Sequence, residues 1–156
     1  MSDLTALAER VRGAIPLTRH LDFSFTRWHP GDLLLAAPLA PNVNDKGTFF
    51  AGSQAALLTL GGWALTTLEG EARVPQVDVV AAESSLQYVA PLASDATLHI
   101  QASEDDLSRF ARRLVRRGRA RLAISATLSS PSGEIAARFT AHYLARDLSR
   151  PDGRVD

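Results

Sequence analysis

Ala51-Gly-Ser-Gln-Ala-Ala-Leu-Leu-Thr-Leu-Gly-Gly-Trp-Ala-Leu-Thr-Thr-Leu-Glu69 is the stretch that decides the fold. Its length and apolar content predict a helix of about 28 Å at ~1.5 Å per residue, weakened locally by Gly61 and Gly62. It has no polar face, because only Ser53, Gln54, Thr59, Thr66 and Thr67 interrupt the apolar run. A helix apolar on most sides has to be wrapped by other structure. The expectation is a buried central helix, and the rest of the chain must supply the wrapping.

The flanking sequence reads mostly as strands. Ser2 is placed to cap a first helix running to about Ile15, with Leu4, Leu7 and Val11 along one face and Pro16 interrupting it. Phe23 to His29 alternates Phe23, Phe25 and Arg27 against Ser24, Thr26 and Trp28. The turn residues Pro30, Gly31 and Asp32 then lead into Leu33 to Pro38, which makes a hairpin. Val77 to Val89 and Ala96 to Ala102 are the next strands, separated at Pro91 and Ser94-Asp95. Ser103 with Glu104, Asp105 and Asp106 starts a short helix carrying Leu107, Phe110, Ala111 and Leu114, and Arg116, Arg117 and Gly118 end it. Two long strands follow, Arg119 to Ser129 and Glu134 to Arg146, joined through Ser130, Pro131, Ser132 and Gly133. The order predicts one α+β domain over 1–147, a six-stranded antiparallel sheet wrapped around the long helix, with a disordered tail at 148–156. Such a sheet has edges, and an exposed edge pairs most simply with a second copy, so a homodimer or a higher oligomer of it is expected.

Composition narrows the function. With 156 residues and 46% hydrophobic content, one sizeable core is expected. The absence of cysteine excludes disulfides, thiolate chemistry and cysteine-ligated zinc. His20, His29, His99 and His142 lack ligand spacing, so no metal site is expected. Seventeen basic against seventeen acidic residues give no global pull toward nucleic acid or an anionic membrane. No apolar stretch approaches the roughly 20 residues of a membrane helix, and Asp3, Glu9 and Arg10 spoil any signal-peptide core, so a cytoplasmic protein is expected.

The run Ala37-Pro-Leu-Ala-Pro-Asn42-Val-Asn44-Asp-Lys-Gly47-Thr48-Phe-Phe-Ala-Gly52-Ser53, followed by Gly62-Trp63, closely resembles the thioesterase family typified by the C-terminal domain of YiiD. Tyr88-Val-Ala-Pro91 and Arg117-Gly-Arg-Ala-Arg121 fit the later parts of that pattern, and the likeness covers roughly Ile15 to Ala145. The resemblance implies the hot-dog fold and an activity on acyl-CoA or acyl-carrier-protein thioesters. No cofactor is implied beyond the coenzyme A or pantetheine of the substrate itself. In hot-dog thioesterases the start of the central helix polarises the thioester carbonyl, and the positions resembling it are Ala51, Gly52 and Ser53. Physically, a helix start offers unpaired N–H groups and the positive end of a dipole. Asn44 stands six residues ahead of Phe50, the offset at which phenylacetyl-type enzymes carry an asparagine before a histidine-glycine-glycine turn. Catalytic roles are thereby expected for Asn44, Gly52 and Ser53, and substrate contacts for Asn42, Lys46, Thr48 and Phe50. The plainer alternatives are that Gly52 permits close packing, Ser53 caps, Asn42 and Asn44 staple the loop, and Asp45 and Lys46 are solvated.

Three expected polar groups are missing. The helix acid of the phenylacetyl-type enzymes is replaced by Thr59, the histidine by Phe50 and a strand serine by Ala81. Neither acid-dependent hydrolysis nor histidine-dependent dehydration transfers. One remaining reading is hydrolysis, with Glu83 or a residue of the other protomer orienting water, provided that the alternation of Glu83 with Ala81 and Ser85 turns it to the cavity. A second is malonyl-thioester decarboxylation, to which the YiiD-type branch has been linked; it needs an enolate oxyanion stabilised and no general base. A non-catalytic acyl-thioester binding module is the third. Arg109, Arg112, Arg113, Arg116, Arg117, Arg119 and Arg121 concentrate charge in one segment. Arg116, Arg117 and Arg119 are expected to meet coenzyme A phosphates or an acidic carrier protein, against the alternative of a solvated helix face. The segment lacks interleaved aromatics beyond Phe110, which argues against nucleic acid.

Overall fold

The computed structural model describes residues 3–151. The first helix, α1 (Asp3–Ala14), buries Leu7 and Val11 as its spacing requires, and Pro16 opens a 3-10 turn through His20. The proposed cap, Ser2, lies outside the described residues. The hairpin β1 (Ser24–His29) and β2 (Asp32–Ala37) follows, then the central helix α2 (Ala51–Glu71), two residues longer than the reading from sequence. After it come β3 (Val77–Tyr88), β4 (Ala96–Gln101), α3 (Glu104–Arg117), β5 (Arg119–Ser129) and β6 (Ile135–Asp147). Helix α3 is bounded as expected: the Ser103 hydroxyl accepts from the Asp106 N–H, and Gly118 takes the left-handed conformation (φ 74°) that ends it.

The six strands form one antiparallel sheet in the order β1-β2-β4-β5-β6-β3, so β1 and β3 are its edges. Alternate residues of β5 and β6, among them Leu122, Ile124, Phe139 and Tyr143, are buried on the face toward α2, while their neighbours point outward. Of the expected tail, the described part is held: the Leu148 N–H donates to the Gln76 carbonyl, and the Arg150 guanidinium donates to the carbonyls of Val115 and Arg116. Residues 152–156 lie outside the description.

Gly61 and Gly62, which weaken α2 in isolation, are what lets it lie against the sheet. A Cβ on Gly61 would stand 2.6 Å from the Ile100 side chain, and one on Gly62 would stand 2.4 Å from the Tyr143 ring. The Tyr143 hydroxyl donates to the Thr59 carbonyl at 2.8 Å, and burial pushes its phenol well above the ordinary tyrosine value, so it stays a neutral donor.

The wrapping of α2 leaves one side open. Gly52 and Thr59 are exposed, and Ser53, Ala55, Ala56 and Trp63 are only partly covered. These positions recur at helical spacing and form one open strip. The strand that would shield it, β3, is the sheet's edge. Its inward residues Ala81, Ser84 and Tyr88, opposite Tyr143, Ala141 and Ala137 of β6, are exposed as well.

Replacing Gly62 by alanine should therefore destabilise the protein. Because the ring cannot withdraw, overpacking falls in the upper part of the usual range, about 2–3 kcal/mol, and outweighs the gain of about 1 kcal/mol in helix propensity. Thermal unfolding should show a midpoint about 2–8 °C lower. Gly13→Ala, in α1 with no atom within 4 Å of the added methyl, should show no loss. Equal behaviour of the two variants would remove the close approach as the reason for Gly62.

Candidate functional site

The stretch from Asn42 to Ser53 turns a polar loop into the start of α2, and its geometry follows from a dense set of local bonds. Val43 and Phe49 form an antiparallel bridge, with Gly47 (φ 77°) in the turn between them. Asn44 closes this turn from inside. Its backbone N–H donates to the Thr48 carbonyl (2.8 Å), its Oδ1 accepts from the N–H groups of Lys46 (2.9 Å) and Thr48 (3.0 Å), and its Nδ2 donates to the Thr48 hydroxyl (2.8 Å). Thr48 is thus the staple's other half. Lys46 sits at the exposed tip, its ammonium 3.2 Å from the carboxylate of Asp45.

Asn42 lies deeper. It is buried, and its Nδ2 donates to the carbonyls of Leu21 and Pro38, both at 2.9 Å. Its own carbonyl accepts the Phe50 N–H at 2.7 Å. The Phe49 N–H donates to the Leu92 carbonyl (2.7 Å), and the Phe49 carbonyl accepts from Nε2 of Gln54 (3.0 Å), a buried residue in the first turns of α2. The Phe49–Phe50 peptide is pinned at both ends. Gln54 is the residue that sequence reasoning did not single out as functional; an amide among the apolar residues of a buried helix was the available signal.

The helix that leaves this clamp starts without a side-chain cap. Phe50 occupies the capping position in extended conformation, and its side chain makes no capping hydrogen bond. The first bond accepted by the Phe50 carbonyl comes from the Gln54 N–H (3.0 Å), so the N–H groups of Ala51, Gly52 and Ser53 precede the intrahelical ladder. They stand at the positive end of a helix about 32 Å long. Phe50 is 53% exposed, and its ring lies against Gly52, where a Cβ would stand 2.4 Å from it. From the edge strand, the Tyr88 hydroxyl donates to the Ala51 carbonyl at 3.0 Å. The open turn therefore meets the last residue of β3, at the end of the uncovered strip.

Two expectations are not met in the geometry. Glu83 does not share the face of Ala81. The β3–β6 register shifts between Ala81 and Glu83, so Ala81 stands opposite the inward Tyr143 while Glu83 stands opposite the outward His142. Its carboxylate accepts from Arg121 (2.7 Å) and lies 2.8 Å from Nδ1 of His142, on the sheet face away from α2. The arginine segment is also not one patch. Arg109 pairs with Asp106, and Arg112 and Arg116 border a hollow with Arg73. Arg117, Arg119 and Arg121 instead open on the outer sheet with Arg146 and Arg150. Among the described residues no group of three or more histidine, aspartate or glutamate side chains is placed to hold a metal ion, and no helix is long and apolar enough to cross a membrane.

A six-stranded antiparallel sheet curled around one long helix, with the helix start open beside the sheet edge, is the hot-dog fold of acyl-thioester enzymes. The chain belongs to the family described as "Putative thioesterase (yiiD_Cterm)", which matches residues 4–147. A "putative thioesterase" from Shewanella oneidensis superposes with a TM-score of 0.81 at 27% identity, covering 92% of this chain and 96% of its own. A protein of unknown function from Chlorobaculum tepidum TLS has a TM-score of 0.78 at 24% identity, with 92% and 93% covered. A "probable thioesterase" from Pseudomonas aeruginosa has a TM-score of 0.76 at 23% identity, with 91% and 95% covered. No curated protein matches the chain.

The Asn44 geometry yields a test of what that amide does for the fold. Asn44→Ala removes three side-chain bonds and should cost about 1–3 kcal/mol in denaturant unfolding. Asn44→Asp keeps both acceptor bonds at Oδ1 and lets the Thr48 hydroxyl donate instead, so its midpoint should stay near the parent's. An Ala variant as stable as the parent would show that the staple contributes nothing.

Proposed function

We propose that the protein is a homodimeric hydrolase of acyl-CoA or acyl-carrier-protein thioesters, with the thioester carbonyl held by the first turn of α2. The observation that carries this reading is the uncapped start of α2. Ala51, Gly52 and Ser53 offer N–H groups with no acceptor among the described residues, at a position clamped by Asn42, Asn44 and Gln54. Preorganised donors of this kind stabilise the oxyanion that develops when water adds to the carbonyl, and they need no rearrangement as charge appears. Asn44 retains one Nδ2 hydrogen beyond its bond to Thr48, which leaves it a donor toward the same carbonyl.

Support for the dimer comes from the open strip of α2 and the exposed edge β3 beside it. The twelve residues of β3 are paired with β6 on one side only among the described residues, and that open edge, flanked by uncovered side chains of α2, forms a template for a second β3, which a two-fold axis makes antiparallel. The expected cytoplasmic location belongs to the same proposal.

The second reading is decarboxylation of a malonyl thioester. It is favoured by one observation: Thr59 faces outward on the open strip where related enzymes carry an acid, and Glu83 faces away. Loss of carbon dioxide leaves an enolate oxyanion, which amide donors stabilise without a base.

A mass-spectrometric panel of acyl-CoA and carrier-bound thioesters separates the readings. Free acid is expected; acetyl thioester from a malonyl substrate would replace hydrolysis by decarboxylation, and binding of every substrate without turnover would reduce the protein to an acyl-binding module. Ala51→Pro deletes one N–H at the first helical position, where proline is tolerated and the extended Phe50 already suits it. The variant should fold normally yet lose about 10²–10³-fold in kcat. Unchanged turnover would show that this N–H does not hold the oxyanion.

A further inference from the structure

Gln54 stands in the first turns of α2, near the fully buried Leu57 and Leu58, and is itself only 5% exposed. Its Nε2 donates to the Phe49 carbonyl at 3.0 Å, while its Oε1 is buried and has no hydrogen-bond partner among the described residues. The amide cannot be turned round, because Oε1 would then face the Phe49 carbonyl oxygen. A buried acceptor left unpaired carries a desolvation cost, and a methionine of similar length would avoid it. What this side chain contributes is therefore the bond made by Nε2.

The Phe49 carbonyl is the acceptor that the helix would assign to Ser53. Helical bonds join the N–H of one residue to the carbonyl four places earlier, as the Gln54 N–H does with the Phe50 carbonyl at 3.0 Å. One step back the same rule pairs Ser53 with Phe49. Among the described residues that bond is not made, and Nε2 of Gln54 occupies the carbonyl instead. The backbone of Phe50 shows how near the two arrangements lie: its φ of −61° is already helical, and only its ψ of 132° departs from the helical value of about −42°. Gln54 thus grips two consecutive carbonyls, one through its backbone and one through its side chain. The C=O and N–H of a trans peptide point opposite ways, so the grip on Phe50 aims the Ala51 N–H out of the helix start. The grip on Phe49 keeps Ser53 out of the ladder.

We propose that Gln54 is a positioning residue of the carbonyl site: its Nε2 holds the Phe49 carbonyl in place of the Ser53 N–H, so that this N–H stays open to the carbonyl of an acyl thioester. The identity of that external acceptor rests on the thioesterase reading; the arrangement of the helix start does not. Without Nε2 the Phe49 carbonyl, on a residue only 2% exposed, loses its partner. Rotation about the ψ bond of Phe50 then brings the Ser53 N–H to it, and the oxyanion loses one of its donors.

Amide hydrogen exchange read by NMR on the full chain tests the arrangement independently of any reaction. The Ser53 amide should exchange about tenfold or more slowly in Gln54→Met than in the parent, while the Ala51 amide stays as open as before. Turnover of an acyl-CoA should fall about 10²-fold in kcat with KM nearly unchanged, as for loss of one oxyanion donor. Gln54→Glu gives a readout that a merely structural role would not move. Its protonated carboxyl donates to the Phe49 carbonyl and its carboxylate cannot, so kcat relative to the parent should fall as pH rises through the pKa of that carboxyl, over a range where circular dichroism shows both proteins folded. Parent-like exchange at Ser53 in folded Gln54→Met, or a parent-like kcat with Ser53 protected, would overturn the proposal. Should the methionine variant fail to fold, a flat pH ratio for Gln54→Glu does the same. A parent that turns over no thioester, yet has an open Ser53 amide that becomes protected in Gln54→Met, would refute hydrolysis and leave the assignment of Gln54 standing.

Discussion

The rest of the structure depends on how closely α2 approaches the sheet. At Gly61 and Gly62 the helix backbone lies where the Ile100 side chain and the Tyr143 ring would collide with any Cβ, and the Tyr143 hydroxyl holds the Thr59 carbonyl. This contact fixes the height of the helix above β4 and β6. Two glycines in mid-helix cost conformational entropy, and the sheet curled over them returns it as buried apolar area.

With its middle fixed, the helix presents its first turn at one defined place, beside the end of the edge strand. Two buried polar side chains, Asn42 and Gln54, and two half-buried ones, Asn44 and Thr48, gather there. Asn42, Asn44, Thr48 and Gln54 all bond backbone groups of the loop or of each other, and none of them caps the helix. A loop that existed only to connect two elements would let one of these side chains satisfy the helix start. Here the loop is rigid and the helix N–H groups stay open, an arrangement suited to holding an external carbonyl.

The two faces of the sheet divide the labour. The inner face is apolar and carries the helix, while the outer face collects the charge: Glu83 with Arg121 and His142, and the cross-strand pair Arg119 and Arg146 farther along. The open strip of α2 and the bare edge of β3 adjoin each other, so a single surface, covered by one event of association, would close both.

The sequence by itself determined the element types, because they rest on local rules. Apolar periodicity, the Ser103 cap, the Gly118 terminator and the Pro and Gly turns each act within a few residues, and the strands and helices fall within a residue or two of where those signals place them. The candidate stretch from Asn42 to Ser53 could be singled out for the same reason, since it is contiguous. Orientation was decided only by the tertiary structure. Simple alternation puts Ala81, Glu83 and Ser85 on one face, but the bulge at Ala82, set by pairing with β6, turns Glu83 outward. Contiguity likewise grouped the seven arginines of 109–121, whereas the turn at Gly118 sends some to the helix surface and some to the sheet, where Arg146 and Arg150 join from 25 or more residues away. A bulge and a cross-strand neighbour are properties of two strands together, and no single stretch of chain contains them.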